Sequence, residues 1–317
     1  MTTPNTIELV VPPESSGARL DRFVAGATGV SRSELQRWIE GGRVTVEGAA
    51  RSASTRLQRG ARIVVRPDAP AASDAKPEAG VAFEVLHVDE DLVVVDKPAG
   101  LVVHPAAGHP TGTLVNGLLA LGLFRVEDLV DAADQASHFR PGIVHRLDKG
   151  TSGVMVVART AAAREALKAQ FHAHSIDRAY EAIVVGQARS GTIATLHARS
   201  PRDRLRFTGR VTHGRPAVTH VGQLAPLRGA THVVCTLETG RTHQIRMHLS
   251  ESGTPILGDP LYGEPARAPE LRVVGERLGH QALHARLLGF VHPRTGANVR
   301  FESRLPDDFL AALEALR

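Results

Sequence analysis

The chain is poor in cysteine, lysine, aromatic residues and long apolar runs, and each shortage narrows what it can be. A single cysteine among 317 residues, Cys235, rules out an internal disulfide, so the fold must rest on its core. That thiol lies in the apolar run HVVCTL, which reads as a buried structural position. No apolar run approaches the ~18 residues that span a bilayer, and MTTPNTIELV has neither the basic nor the apolar region of a signal peptide. A cytoplasmic protein with no membrane partner is expected. The GxxxxGK[ST] phosphate loop is missing, and no His, Cys and carboxylate group has convincing metal-ligand spacing. His280 and His284 are four apart but have no neighbouring carboxylate or cysteine, whereas His243 and His248 are five apart and do not share a helix face. No cofactor and no metal are therefore expected.

What is present is a chain long enough for two domains, with 42% hydrophobic and 22% charged residues. Only four lysines (Lys76, Lys97, Lys149, Lys168) stand among the 38 basic residues. The arginines that make up the rest supply planar forks suited to phosphate. They are unevenly spread: Gly17 to Arg66 holds ten arginines against Asp21, Glu34, Glu40 and Glu47, so this stretch alone exceeds the +5 of the whole chain. A concentrated basic face on a small domain is the footprint of a polyanion binder.

The same stretch has legible local structure. Leu20, Phe23 and Val24 form one i, i+3, i+4 apolar stripe, and Leu35, Trp38 and Ile39 form a second behind the Ser31-Arg32-Ser33-Glu34 capping box. Two short helices are expected, with Arg32, Ser33, Gln36 and Arg37 away from the second stripe. Gly41-Gly42 ends the second helix, and RVTVEG and RIVV read as two short strands. This order of elements resembles the small RNA-binding domain shared by a ribosomal small-subunit protein, tyrosyl-tRNA synthetases and many RNA-modifying enzymes. The resemblance implies RNA contacts from Arg19, Arg32, Arg37 and Arg43. Glu47 departs from it, standing where that family usually has Asn in a V-N-G turn.

Residues 1–16 are expected to be an N-terminal tail, 17–67 the RNA-binding domain, and 68–80 a linker, because Ala69 to Gly80 is rich in Ala and Pro and lacks either periodicity. Residues 81–317 form the main domain. It contains many short β-type runs (FEVLHV, LVVVDKP, VMVVA, YEAIVVG, AVTHVG, HVVCTL, HARLLGFVHP, NVRFES) and fewer helical ones, notably Ala161 to Phe171 and Thr242 to Ser250. Strands that outnumber helices without alternating with them argue for an α+β fold on a mixed sheet.

Three segments of this domain carry polar residues that core packing does not require: HRLDKGTSG, RAYEAIVVG and ETGRTHQIRMH. Singly, each has an ordinary reading as a salt-bridged turn, a strand whose tyrosine reaches solvent, or an amphipathic helix start. In the first, Asp148 is a carboxylate framed by Arg146, Lys149 and small residues, which is also how a nucleophile or base is displayed at a cleft. Together, preceded by DKPAGLVVHP and followed by GDPLYG, the segments resemble the RluA family of pseudouridine synthases from Asp89 to the C-terminus. Within it, GLVVHPAAG followed by TGTLVNGLL is similar to the RluD-like enzymes that modify large-subunit ribosomal RNA.

The resemblance implies a catalytic domain on a mixed, largely antiparallel sheet with a central cleft, and an isomerase that breaks the glycosidic bond of uridine and rejoins the base through carbon 5. Asp148 matches the catalytic aspartate, Arg246 the arginine that pairs with it, and Tyr180 the tyrosine that stacks on the uracil. Arg146 matches the side chain that fills the place of the extruded base, and His145, Arg241 and Thr151 complete the expected substrate-binding set. Thr151, Ser152 and Gly153 hold the turn, Ser152 through backbone amides, while Asp96 and Lys97 shape the turn leading to the cleft. Arg199 to Arg215, with six arginines against Asp203, is a candidate second phosphate-contacting loop. The partner implied is large-subunit ribosomal RNA or an assembling subunit, with transfer or other RNA as the alternative. A protein that binds RNA without catalysis is the rival reading, and a monomer is expected because no heptad pattern is present.

Overall fold

The computed structural model describes residues 6–28, 30, 32–67, 75–106, 108–124, 126, 129, 140–263 and 268–317. The chain divides into two compact units, residues 1–72 and 73–317.

In the first unit the two apolar stripes become helices α1 (Leu20–Thr28) and α2 (Arg32–Glu40). Leu20, Val24, Leu35, Trp38 and Ile39 are buried and Phe23 packs against them, as 3.6-residue periodicity requires. Ser31, read as the cap of α2, lies outside the described residues. The sheet has four strands rather than the two expected: β1 (Ile7–Val10), β2 (Val44–Val46), β3 (Ala49–Ala50) and β4 (Arg62–Val65), in the order β1-β4-β2-β3. Residues 7–16 are thus not a tail. Ile7 and Leu9 pair with Val65 and Ile63 of β4, and Val11 is buried just beyond them, which covers an edge that β4 would otherwise leave open. Glu47 and Gly48 make the two-residue β2–β3 turn, both at positive φ (51° and 75°), a conformation that favours Asn-Gly. The Glu47 carboxylate compensates by accepting the Arg62 amide at 2.5 Å.

The second unit is an α+β domain on a ten-stranded sheet: β5 (Glu84–Val88), β6 (Leu92–Lys97), β7 (Ser152–Ala158), β8 (Asp177–Val185), β9 (Gly191–Arg199), β10 (Phe207–Thr208), β11 (Arg215–Leu227), β12 (Ala230–Leu237), β13 (Leu283–Val291) and β14 (Asn298–Glu302). The order is β10-β9-β11-β12-β8-β13-β7-β6-β5, with β14 also joined to β13. Pairing is antiparallel throughout except between β13 and β7. Every residue of β7 is buried, which is why that strand reads as a continuous apolar run and not as an alternating one. Cys235 is buried in β12, and burial pushes its thiol up to about 12.

The sheet forks at β13. One edge of this strand runs along β8, while the other pairs His284 and Ala285 in parallel with Ser152 and Gly153, then passes to β14 from Leu287 onward. The segment that carries Asp148 enters β7 at this fork. Helix α4 (Ala161–Ala173) starts at Thr160, whose hydroxyl accepts the Ala163 amide, and buries Ala163 and Leu167 on the sheet. Helix α5 (Gln244–Glu251) occupies the region expected to be helical, whereas α3 (Leu114–Ala120), α6 (Pro269–Leu278) and α7 (Asp307–Leu316) were not anticipated. Part of the expected linker also belongs to this unit. Ala75 is buried in its core, the Lys76 carbonyl accepts the Asn116 side chain, and Glu78 accepts the Gly112 amide. Two apolar-poor residues of a Pro/Ala stretch are held here by hydrogen bonds, which leave no periodic pattern. Among the described residues no helix is long and apolar enough to cross a membrane.

Candidate active site

Helix α5 brings Arg246 to the Asp148 segment across 98 positions of sequence. Arg246 Nη1 donates to Asp148 Oδ2 at 2.8 Å, while its Nε and Nη2 fork onto both oxygens of Asp259 at 2.7 and 2.8 Å. Asp259 Oδ1 also accepts the amides of Leu261 and Tyr262. Burial works against both charges, but the mutual bonds hold Arg246 above the ordinary guanidinium value and Asp259 below the ordinary carboxylate value. The guanidinium is therefore anchored by one carboxylate and offered to the other. Asp148 keeps its second oxygen toward the pocket, where His243 Nε2 lies 3.7 Å away.

The arginine is aimed by a helix whose start is tightly locked. The Gln244 side chain donates to Val218 O and Thr219 Oγ1 and accepts from Thr239 Oγ1 and the Arg241 amide. His248, buried on the sheet side, bonds to Thr195 and Thr219. His243 precedes the helix in the left-handed conformation with φ 57°, and its ring is turned to the pocket side against Tyr262, sharing a 3.2 Å bond with that phenol. The two histidines point apart, as their spacing implied.

The Asp148 segment is fixed from two sides. Lys97 is fully buried and its three donors reach the carbonyls of Pro98, Leu101 and Lys149. Burial draws its pKa down to about 7, against the charges of Asp148 and Asp96, and three acceptors match the three donors of an ammonium. From the opposite side, Gln281 donates to Thr151 Oγ1, and Ser152 bonds to His284 Nδ1 at 2.9 Å. Ser152 thus meets a side chain and not the backbone amides expected of it. Gly153 has φ 115°, and a Cβ there would lie 2.2 Å from the Ala285 carbonyl. The close approach of two backbones at the sheet fork excludes any side chain.

Asp148 opens on a cavity of about 560 Å³, within the range of ligand sites. Tyr180 and Arg178, alternate residues of β8, line it together with Phe171, Arg146, Arg241 and His243. Burial raises the Tyr180 pKa, so its phenol keeps the proton at neutral pH. His145 stacks on Phe171 at 4.5 Å and its Nε2 accepts the Val156 amide; burial and the Arg178 charge draw it down to about 3. Arg146 is exposed at the cavity, two residues before Asp148. Arg241 donates to Pro216 O and stands close enough to His174 and His197 for its charge to lower both rings.

The structure thus brings Asp148, Tyr180, Arg246, Arg146, Arg241, His145 and Thr151 to one cavity, although Thr151 is buried beneath the loop and His145 is engaged by β7. Asp259, His243, Tyr262, Gln244 and Arg178 were missed as site residues. GDPLYG and R-x-Y-E-A were visible as motifs, but nothing local reveals what Asp259 or Arg178 faces. In the 199–215 segment, Arg199 lies over Phe207 at 4.8 Å and Arg206 over Tyr262 at 5.7 Å, so its arginines flank the wall that supports His243. In the first unit Arg19 forks onto Asp21 at 3.0 and 2.7 Å and Arg43 is exposed before β2. Arg32 and Arg37 belong to α2, but their side chains lie outside the described residues.

His280 bonds to Asp308, and His284 to Ser152. Asp89, Asp91 and His292 do bring potential ligand atoms within 4.8 Å of one another. Their oxygens are already engaged: Asp91 by Arg294, and Asp89 by two amides, His87 and His292. This corner ties β6 to the turn after β13.

Two families match the chain: RNA pseudouridylate synthase over residues 91–251 and the S4 domain over residues 18–63. The ribosomal large subunit pseudouridine synthase D of Pseudomonas aeruginosa is 44% identical over 314 residues, covering 97% of this chain and 94% of that protein. An uncharacterised RNA pseudouridine synthase of Bacillus subtilis is 41% identical, covering 99% of each. Among solved structures, human RNA pseudouridylate synthase domain containing 1 superposes with a TM-score of 0.56 at 25% identity, covering 76% of this chain and 89% of that one.

Proposed function

The chain belongs to the RNA pseudouridylate synthase family, and on that premise we propose that it isomerises uridines of large-subunit ribosomal RNA to pseudouridine in the cavity at Asp148. The observation that carries this reading is the Asp148 carboxylate, held on one oxygen by Arg246 and open to the cavity beside Tyr180. A uridine in folded RNA must leave its stack to reach such a cavity, at a cost of roughly a few kcal/mol. Arg146, exposed at the cavity, takes the vacated place, because a guanidinium both stacks on bases and forks onto phosphate.

Asp148 then acts on the sugar, by attack at C1′ or by removing the C2′ proton, and the N1–C1′ bond breaks. The base turns within the cavity and C5 joins C1′. Tyr180 holds the ring on its aromatic face, with a protonated phenol near C5. Arg246 holds the carboxylate in place through its 2.8 Å hydrogen bond to Oδ2. Substrate choice among RNAs follows the Pseudomonas aeruginosa relative, which is named for the ribosomal large subunit, and the basic S4 domain adds affinity for the same RNA in the cytoplasm.

Asp148→Asn should abolish tritium release from RNA labelled at C5 of uracil while RNA affinity stays within a few-fold of wild type. Full turnover by that variant would remove Asp148 from the chemistry and favour RNA binding without catalysis.

A further inference from the structure

Among the described residues, Arg178 is a buried cation with no carboxylate paired to it. It is 8% exposed, it lines the cavity, and its Nε and Nη2 have no hydrogen-bond partner. Its surroundings do not neutralise it. The Phe171 ring lies 5.9 Å from the guanidinium, His145 is an uncharged neighbour, and Gly240 packs so closely on Nη1 that a Cβ there would lie 2.3 Å away. The other cation at the reacting end behaves differently, since Arg246 is bonded to two carboxylates. Folding selects against a desolvated charge with no partner unless something arriving later supplies one. Strand alternation puts Arg178 on the same face of β8 as Tyr180, two residues on, and therefore beside the aromatic wall where the base would be held.

We propose that Arg178 stabilises the uracil anion formed when the glycosidic bond breaks. The proposal rests on the reading of the cavity as a pseudouridine synthase site. When N1–C1′ breaks, the electron pair stays on the base, and the negative charge spreads over N1, O2 and O4. The sugar's positive charge is met by an ester to Asp148, or its C2′ proton passes to Asp148. After the base turns, C5 bonds to C1′ as Asp148 is released or returns its proton to C2′. The C5 hydrogen then leaves as a proton and N1 gains one, so the sum is an isomerisation with no added reactant. Neutral uracil offers Arg178 only carbonyl dipoles, whereas the detached anion offers a full charge. The interaction therefore strengthens as the bond breaks, which is the condition for accelerating the step.

The test compares full-length wild type with Arg178→Met and Arg178→Lys. Arg178→Met should unfold at the same temperature as wild type or higher, because it removes a buried unpaired charge, and should bind RNA within a few-fold with an unchanged salt slope. Single-turnover cleavage of N1–C1′ should slow by about 100-fold or more, with partial recovery in Arg178→Lys. The deficit should shrink several-fold on RNA carrying 5-fluorouridine, whose fluorine stabilises the base anion without help. An equal deficit on both substrates would overturn the proposal, as would a lowered unfolding temperature with proportionate loss of activity. A weakened affinity with a shallower salt slope would also overturn it, by assigning Arg178 to phosphate. If wild type makes no pseudouridine, the functional reading fails instead; if wild type is active and Arg178→Met matches it, only this proposal fails.

Discussion

At the residue scale the arrangement turns on which carboxylate each arginine meets. Asp148, Tyr180 and Arg246 were legible because they lie in motifs whose residue types match a chemistry. Asp259 was not, although it supplies two of the three hydrogen bonds to Arg246. Nothing in GDPLYG shows that its aspartate turns inward, because that depends on α5 passing beside it. Asp259→Asn should remove the anchor of Arg246 and cost about 3–5 kcal/mol of stability, the effect of breaking a buried ion pair from one side. Turnover should drop about a hundredfold through misplacement of the guanidinium. The pH dependence has a definite sign. Asp259 is held below its ordinary value of 3.8, so the stability it contributes is present above about pH 4 and is lost as pH falls through its native pKa. Urea unfolding between pH 3 and 7 should show a flatter acid limb in the variant than in wild type; parallel limbs would mean the pair contributes little.

At the scale of elements, strands with both faces covered and helices with regular stripes were readable, and elements held by other means were not. β6 and β7 appear as apolar runs, and α1, α2 and α4 as i, i+4 patterns. By contrast β1 has only two inward residues, Ile7 and Leu9, too few to distinguish a strand from a tail. The fork of β13 between β7 and β14 leaves no sequence pattern beyond a glycine. Gly153→Ala should destabilise the protein by about 3 kcal/mol, since its Cβ would meet the backbone of Ala285, which cannot swing aside. Gly296→Ala is the matched comparison. That glycine also has positive φ, at 69°, but nothing lies within 4 Å of its Cβ position, so only the strain of about 1–2 kcal/mol applies. Denaturant unfolding of both variants separates the close approach from the dihedral, and activity measured well below the unfolding temperature should fall only in Gly153→Ala.

At the scale of the molecule, the chain is two units with separate cores, and net positive charge is densest in the first, which carries +3 over 72 residues against +2 over the other 245. Removing residues 1–72 should leave the second unit folded, because β5 to β14 and their helices bury their own core. RNA affinity should weaken, and the slope of log affinity against log salt should become shallower as phosphate contacts are lost. Filter binding at several salt concentrations measures this, and an unchanged slope would mean that the basic unit does not touch RNA. The sequence by itself determined the two-unit plan, the basic first unit, the apolar strands, and the motifs that identify Asp148, Tyr180 and Arg246, because periodicity, composition and motif order are local properties. Only the tertiary structure decided that Arg246 is shared between Asp148 and Asp259, that Gly153 sits where two backbones nearly touch, and that Arg178 is buried with its Nε and Nη2 unbonded among the described residues. Pairing and desolvation depend on what residues distant in the chain place beside a group, and no local pattern records that.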